Sequence, residues 1–214
     1  MRVKTFKGGY DYNFCYLIWD EETLDGAIID PAVNPNEIFT FIDKNNIKLS
    51  KILITHTHYD HISYLSDFLC NYSNIRIYSY IKTRYSLGKK FYGVNHNDKV
   101  CIGKIVLNAL YTPGHYDDSI CYFENIEGIL FTGDTIFVGR SGRTINSHSN
   151  ISELYNSIYN IIFKLPKDTM IYPGHDYGNQ PTITLLENIQ SSPFFSCKSE
   201  KEFANVMAKF EAGR

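Results

Sequence analysis

Residues 51–62 read KILITHTHYDHI, and no other stretch restricts the fold of this chain as much. The apolar run Ile52, Leu53 and Ile54 has the pattern of a short buried strand. His56 and His58 lie two apart, so in extended chain leaving that strand both imidazoles point the same way. Asp60 and His61 follow at the next turn, and ISYLSDFLC beyond them has helix-like apolar spacing. Four metal-ligating side chains thus leave one strand end into one small volume. Neutral imidazole and carboxylate together suit zinc, iron or manganese. A His-rich loop that binds nothing is the plain alternative, and four ligand types within six residues weigh against it.

The pattern recurs. Three more strand-like runs end in a ligand type set beside glycine: His115 after Gly114, Asp134 after Gly133 and His175 after Gly174. Glycine lets the backbone turn sharply so that a short side chain reaches a shared centre. Loops at strand ends on a rigid scaffold are where catalytic groups usually lie. Seven ligands exceed the needs of one tetrahedral ion and suit two ions sharing a carboxylate. The simplest division gives His56, His58 and His115 to one ion, and Asp60, His61 and His175 to the other, with Asp134 bridging. Two divalent ions are expected, zinc first, with iron or manganese open.

Strands are predicted over 3–6, 13–19, 26–30, 52–54, 75–80, 100–102, 104–111, 119–123, 128–131 and 169–172. Helices are predicted over 35–45, 82–90, 151–163, 181–190 and 199–210, the last opened by Ser199 and Glu202 in capping-box spacing. Two half-chains of mixed content imply two packed sheets with helices outside, an α+β fold. The 214 residues divide into one domain over 1–190 and a short C-terminal helical extension over 191–214. Hydrophobic residues make up 43%, enough for a sizeable core, and the net charge of −2 leaves no footprint for nucleic acid. No apolar run approaches membrane-spanning length. The opening MRVKTFKGGYDYNF lacks the apolar segment of a secretory signal, and five scattered cysteines without C-x-x-C fit a reducing compartment. A cytoplasmic monomer or homodimer is expected. Cys15, Cys101 and Cys121 sit in strand-like runs and read as small buried hydrophobes.

T-H-x-H-x-D-H at 55–61, P-G-H at 113–115, T-G-D-T at 132–135 and P-G-H-D-Y at 173–177 resemble the metallo-β-lactamase superfamily in order and spacing, over the chain to about residue 190. The resemblance implies a four-layer αββα sandwich with the site along one edge of the paired sheets. TPGHYDDSICYF, GDTIFVGRSGRT and YPGHDYGNQPTITLLENIQSSPFF are most similar to the branch holding glyoxalase II (hydroxyacylglutathione hydrolase) and persulfide dioxygenase. Glyoxalase II chemistry implies attack by metal-bound hydroxide on a glutathione thioester, with departure of a thiolate. Asp134 and Asp60 would be its catalytic carboxylates. Asp134 would hold the ions together, and Asp60 would serve as ligand, proton acceptor or both. In the dioxygenases one Fe2+ uses the positions of His56, His115 and Asp134, the two-His-one-carboxylate set. The other four ligand types accompany it there too, so counting ligands does not separate the branches.

Other readings are disfavoured. A β-lactamase often carries cysteine where Asp134 stands, an RNA nuclease fits poorly with a slightly negative chain, and a non-catalytic metal-binding module would have lost ligands. Two departures from the family pattern stand out. Thr144 is followed by Ile145 where the family often has an acid, and the tail is shorter than the C-terminal helical domain with which glyoxalase II helps hold glutathione. A smaller thioester or another thiol conjugate therefore stays open as the substrate. Arg143 and Arg140, in GRSGR, are placed to meet an anionic substrate, against ordinary surface ion pairing. Tyr177 lines the pocket or packs under the last strand, and Asp176 is a candidate to orient a ligand histidine. Asp117, Asp118, His96, His148 and the Lys89-Lys90 pair are expected to be solvated.

Overall fold

The computed structural model describes all 214 residues except Arg84, Lys89 and Arg214. The first half runs β1 (Arg2–Gly8), β2 (Asn13–Trp19), β3 (Asp25–Ile29), α1 (Asn36–Lys44), β4 (Lys48–Leu53), α2 (Leu65–Asn71), β5 (Arg76–Tyr80) and β6 (Phe91–Val94). The second runs β7 (Lys99–Ile102), β8 (Ile105–Tyr111), β9 (Ile120–Glu124), β10 (Ile129–Gly133), α3 (Ile151–Asn156), β11 (Met170–Pro173), β12 (Ile183–Thr184), α4 (Leu185–Ser191) and α5 (Glu200–Ala212). The strands form two six-stranded sheets, ordered β1-β2-β3-β4-β5-β6 and β12-β11-β10-β9-β8-β7. Both are mixed: β3 to β6 pair in parallel in the first, and β10 with β11 in the second.

Alternation assigns each side chain to a layer. On β2, Cys15 and Leu17 face α1 and α2, packing with Ile38, Ile42, Leu65 and Phe68. Phe14, Tyr16 and Ile18, one residue out of phase, face the second sheet and meet Leu107, Ala109, Tyr122 and Phe131. On β10, Phe131 joins that central layer, whereas Leu130 turns outward to Leu154, Leu185, Phe203 and Met207 beneath α3, α4 and α5. Three apolar layers between four structural ones make the αββα sandwich. Strands covered on both faces read as continuous apolar runs, which is why β2, β9 and β10 carry so little polar character. Phe131 is fully buried, and truncating such a residue to alanine costs about 3–5 kcal/mol. No described helix is long and apolar enough to cross a membrane.

Three local expectations are corrected and one is refined. The described residues of 82–90 form turns rather than a helix; Gly88 has φ +77° and Leu87 is drawn into the first core layer. The next residues become β6, which pairs with β5 and carries too few residues to show a period. The helix expected over 151–163 is present but not uniform: it is α-helical to Asn156, widens into a π-helix over Ser157–Ile161 and tightens to 3-10 over Ile162–Lys164. The helix expected from 181 starts at Leu185, because Ile183 and Thr184 first pair with β11, and Thr184 with Glu187 forms its capping box. Cys101 is exposed, on the outer face of β7, whereas Cys15 and Cys121 are buried as expected.

Candidate metal centre

The THTH run works by alternation. Thr55 donates its N–H and hydroxyl to the Asp30 carboxylate at 2.7 and 2.6 Å. Thr57 donates the same pair of groups to Asp118 at 3.2 and 2.5 Å. The threonines are thereby tied into the protein, and His56 and His58 between and beyond them face the pocket. Asp118 also accepts from Thr83 at 2.7 Å and is 1% exposed, so the expectation of a solvated turn acid is wrong for it. Burial raises its carboxyl above the ordinary value, with the threonine hydrogen bonds opposing. A single 3-10 turn over Tyr59–His61 then delivers Asp60 and His61.

The remaining ligand types arrive from three other strand ends. His115 follows β8, Asp134 follows β10, and His175 follows β11. Two glycines are needed for this convergence. A Cβ on Gly174 would lie 2.4 Å from Asp134 Oδ1 and 2.7 Å from His61 Cε1, and Gly133 has φ +48° with Thr55 against it.

The seven side chains fall into two trios about Asp134. His58 Nδ1 lies 3.0 Å from His56 Nε2 and 3.1 Å from His115 Nε2. Across the pocket, His175 Nε2 lies 3.2 Å from His61 Nε2 and 3.3 Å from Asp60 Oδ2. Asp134 sits between, Oδ1 3.2 Å from His61 Nε2, and Oδ2 3.4 Å from His175 Nε2 and 3.6 Å from His115 Nε2. Three of the five outward ring nitrogens have a carboxylate or carbonyl acceptor: Asp30 for His61 at 2.8 Å, the Arg143 carbonyl for His115 at 2.9 Å, and the Asp11 carbonyl for His175 at 2.7 Å, while His56 Nδ1 meets the Thr55 hydroxyl and His58 Nε2 the Asn146 amide. Such acceptors hold the proton on Nδ1 of these three rings and turn Nε2 inward. Ring nitrogens gathered 3.0–3.2 Å apart from separate strand ends form a donor set suited to a cation. Asp134 Oδ1 is buried and, apart from His61 Nε2 at 3.2 Å, no hydrogen bond reaches it. Both observations fit divalent metal.

The two trios differ in charge. Burial drives His56 well below the ordinary imidazole value and His58 down to about 4, and lowers His115 despite the pull of Asp134. Burial also disfavours charge on His61 and His175. There the carboxylates win: Asp134 and Asp30 hold His61 well above the ordinary value, and Asp134 with Asp60 brings His175 up to about 9. Burial opposes ionisation of Asp134 and Asp60, yet both lie below the carboxylate range. His175 and His61 do this at Asp134, and at Asp60 they are joined by the Asn13 amide, which donates to Oδ2 at 2.8 Å.

Above this floor opens a pocket of about 340 Å3 with Arg140, Arg143, Ile145, Tyr10, Tyr177 and Phe210 in its walls. Tyr177 both lines the pocket and braces His175: the rings stack at 4.7 Å and 2°, and the hydroxyl donates to Asp11. Arg140 lies over the Tyr177 ring at 3.9 Å. Asp176 does not orient a histidine. Its N–H is taken by the Tyr12 carbonyl and its carboxylate pairs with Lys7. His148, expected to be solvated, is half-buried 3.4 Å from the Asp117 carboxylate, and His96 accepts the Tyr111 N–H. Of the Lys89-Lys90 pair, Lys89 lies outside the described residues. Sequence reading misses Asp30, Asn13 and the Asp11 carbonyl. Asp30 is open to detection, since it closes the apolar run GAII as Asp134 closes ILFTG.

The chain belongs to the metallo-beta-lactamase superfamily, whose model matches residues 8–175. Within it the chain falls in the glyoxalase II and persulfide dioxygenase branch. It is 37% identical to hydroxyacylglutathione hydrolase of Francisella tularensis subsp. novicida, an alignment covering 94% of this chain and 90% of that protein. It is 26% identical to the probable polyketide biosynthesis zinc-dependent hydrolase BaeB of Bacillus velezensis, covering 95% and 90%. The crystal structure of ETHE1 from Myxococcus xanthus superposes with a TM-score of 0.89 at 30% identity, over 98% of this chain and 91% of that one. The superfamily binds metal, and the clustered histidines and acids of this chain are suited to it.

Proposed function

We propose that the protein is a cytoplasmic thioester hydrolase of the glyoxalase II type, acting with two divalent ions, zinc foremost, on a hydroxyacylglutathione or a related thiol conjugate. The observation that carries this reading is the pair of candidate ligand trios on either side of the buried Asp134 carboxylate. His56, His58 and His115 would hold one ion, Asp60, His61 and His175 the other, and Asp134 would be shared. When bound, such ions polarise a carbonyl and lower the pKa of water to about 7.

The protein's own groups do the rest. Hydrolysis adds water across the acyl C–S bond and yields a carboxylic acid and a thiol. Asp134 and Asp60 are ionised at neutral pH, and their lowered pKa values suit them to accept hydrogen bonds from the attacking water and to hold metal rather than to keep its proton. Asp60 is one-quarter exposed and has Oδ2 tied by Asn13, which leaves it open to the pocket and oriented. Arg143 sits at the wall, its guanidinium available to a substrate carboxylate, while its carbonyl holds His115. Arg140 is fixed over Tyr177 and adds positive charge to the same rim. Ile145 and Phe210 supply apolar wall for the acyl or thiol chain.

A second reading is favoured by the likeness to ETHE1 at 30% identity: a persulfide dioxygenase with one Fe2+ on His56, His115 and Asp134. Purified protein separates them. Two zinc ions per chain with thiol release from lactoylglutathione is the expected outcome. One iron per chain with oxygen uptake on glutathione persulfide, and no thioester cleavage, would overturn the hydrolase reading.

A further inference from the structure

The peptide group between Arg143 and Thr144 is occupied at both ends. Its carbonyl accepts from His115 Nδ1 at 2.9 Å, and its N–H donates to Glu211 Oε1 at 2.7 Å. The Thr144 hydroxyl reaches the same oxygen at 3.2 Å. In a trans peptide, as this one is, the C=O and N–H point in opposite directions. Glu211, the peptide and His115 therefore stand in line, carboxylate to amide to imidazole. A negative charge at the N–H end polarises the amide and makes its carbonyl a stronger acceptor. Glu211 comes from α5, outside the matched residues 8–175, and it reaches the loop beside Ile145, where the sequence carries no local acid. Two buried anchors hold α5 there, Phe203 and Met207, and Met207 Sδ also accepts from Ser141 in the same loop.

We infer that Glu211 is a positioning residue of the metal centre: through the Arg143–Thr144 peptide its charge strengthens the Nδ1–H bond of His115 and so the donor power of His115 Nε2. His61 has its carboxylate in direct contact, in Asp30. His115 has one relayed through a single peptide. An ordinary helix-to-loop hydrogen bond would hold the loop equally well with a neutral acceptor, and the two accounts part at that point. The inference rests on the reading of His115 as a ligand.

The full-length protein is stripped of metal and titrated with Zn2+ against a chromophoric chelator, as wild type, Glu211→Gln and Glu211→Ala. Histidine ring 1H–15N correlations are recorded on the zinc-loaded forms, and circular dichroism checks the fold. Glu211→Gln keeps the volume and an acceptor oxygen and removes only the charge. It is expected to weaken one of the two zinc ions about tenfold, in the range seen for outer partners of metal-binding histidines. The His115 Nδ1–H resonance should move upfield while that of His61 stays in place, and Glu211→Ala should do the same more strongly. Glu211→Gln matching wild type in both affinity and resonance would overturn the relay, as would equal weakening of both ions with movement at His61. If zinc leaves the His115 Nε2 signal of the wild type unmoved, His115 is no ligand, and the functional reading falls before the variants are compared.

Discussion

The two candidate ligand trios face each other across Asp134 and share a residue type, yet their surroundings leave one neutral and the other charged. His56, His58 and His115 are surrounded by burial and by one another, and all three have lowered pKa values. His61 and His175 are as buried, but lie against Asp30, Asp60 and Asp134 and have raised values. The first trio is thus neutral at pH 7 and offers more inward lone pairs than one shared N–H, on His58 Nδ1, can satisfy. The second is internally paired, imidazolium against carboxylate. Placement of the acids, rather than depth, decides which imidazoles carry a proton. A metal entering the first trio meets ready ligands, whereas one entering the second has to displace protons.

The largest test of this contrast is removal of the ions. Chelation at pH 7 is expected to abolish thioester hydrolysis and to lower unfolding free energy by about 4 kcal/mol for each ion lost, relative to protein at a thousand times the dissociation constant in metal. Urea titration with and without zinc measures it, and an unchanged midpoint would leave the lone-pair argument for the first trio without support. Next comes Asp134→Ala, which deletes the carboxylate between the trios. A loss of about 10²–10³-fold in kcat/KM is expected, with fewer than two ions per chain by elemental analysis. Asp30→Asn should separate the trios, weakening zinc at the second by about 10–100-fold and leaving the first as it was; equal loss at both would mean that Asp30 acts only through Thr55.

The smallest effect is one of pH. A histidine whose folded pKa is raised contributes stability that is fully present below its unfolded value, 6.5, and is lost as pH rises through the folded value, about 9 for His175. Metal-free protein should therefore lose stability between about pH 6.5 and 9, and His175→Gln should flatten that slope. Calorimetry in buffers of different ionisation heat should also detect proton release when zinc fills the second trio at pH 7. Absence of release would remove the distinction between the trios.

Much of this site is legible in the sequence alone. THTHYDH, PGH, TGD and PGHD each set a ligand type at the end of an apolar run, and strand-end geometry gathers all seven into one cluster at the pocket floor. What stays hidden is anything that depends on a distant partner. Asp118 reads as a turn acid because nothing local says that Thr57 and Thr83 will close over it. Asp176, next to His175, reads as the natural orienting acid, yet the acceptor is the carbonyl of Asp11 on the loop before β2. The helix expected over 82–90 has suitable composition and loses to Gly88 and to the burial of Leu87.

Periods of two and of about 3.6, glycine beside a ligand type, and the order of strands and helices are short-range properties, and they point to two packed sheets with helices outside and to the candidate ligand side chains. Electrostatics are not short-range in sequence. Whether an imidazole is charged follows from which carboxylates the folded chain brings within a few ångströms, and only the folding of the first sheet supplies Asp30 to His61. The packing of α5 likewise brings Glu211 to the peptide that holds His115. THTHYDH on its own names the metal centre, and the tertiary structure divides it into a neutral half and a charged one.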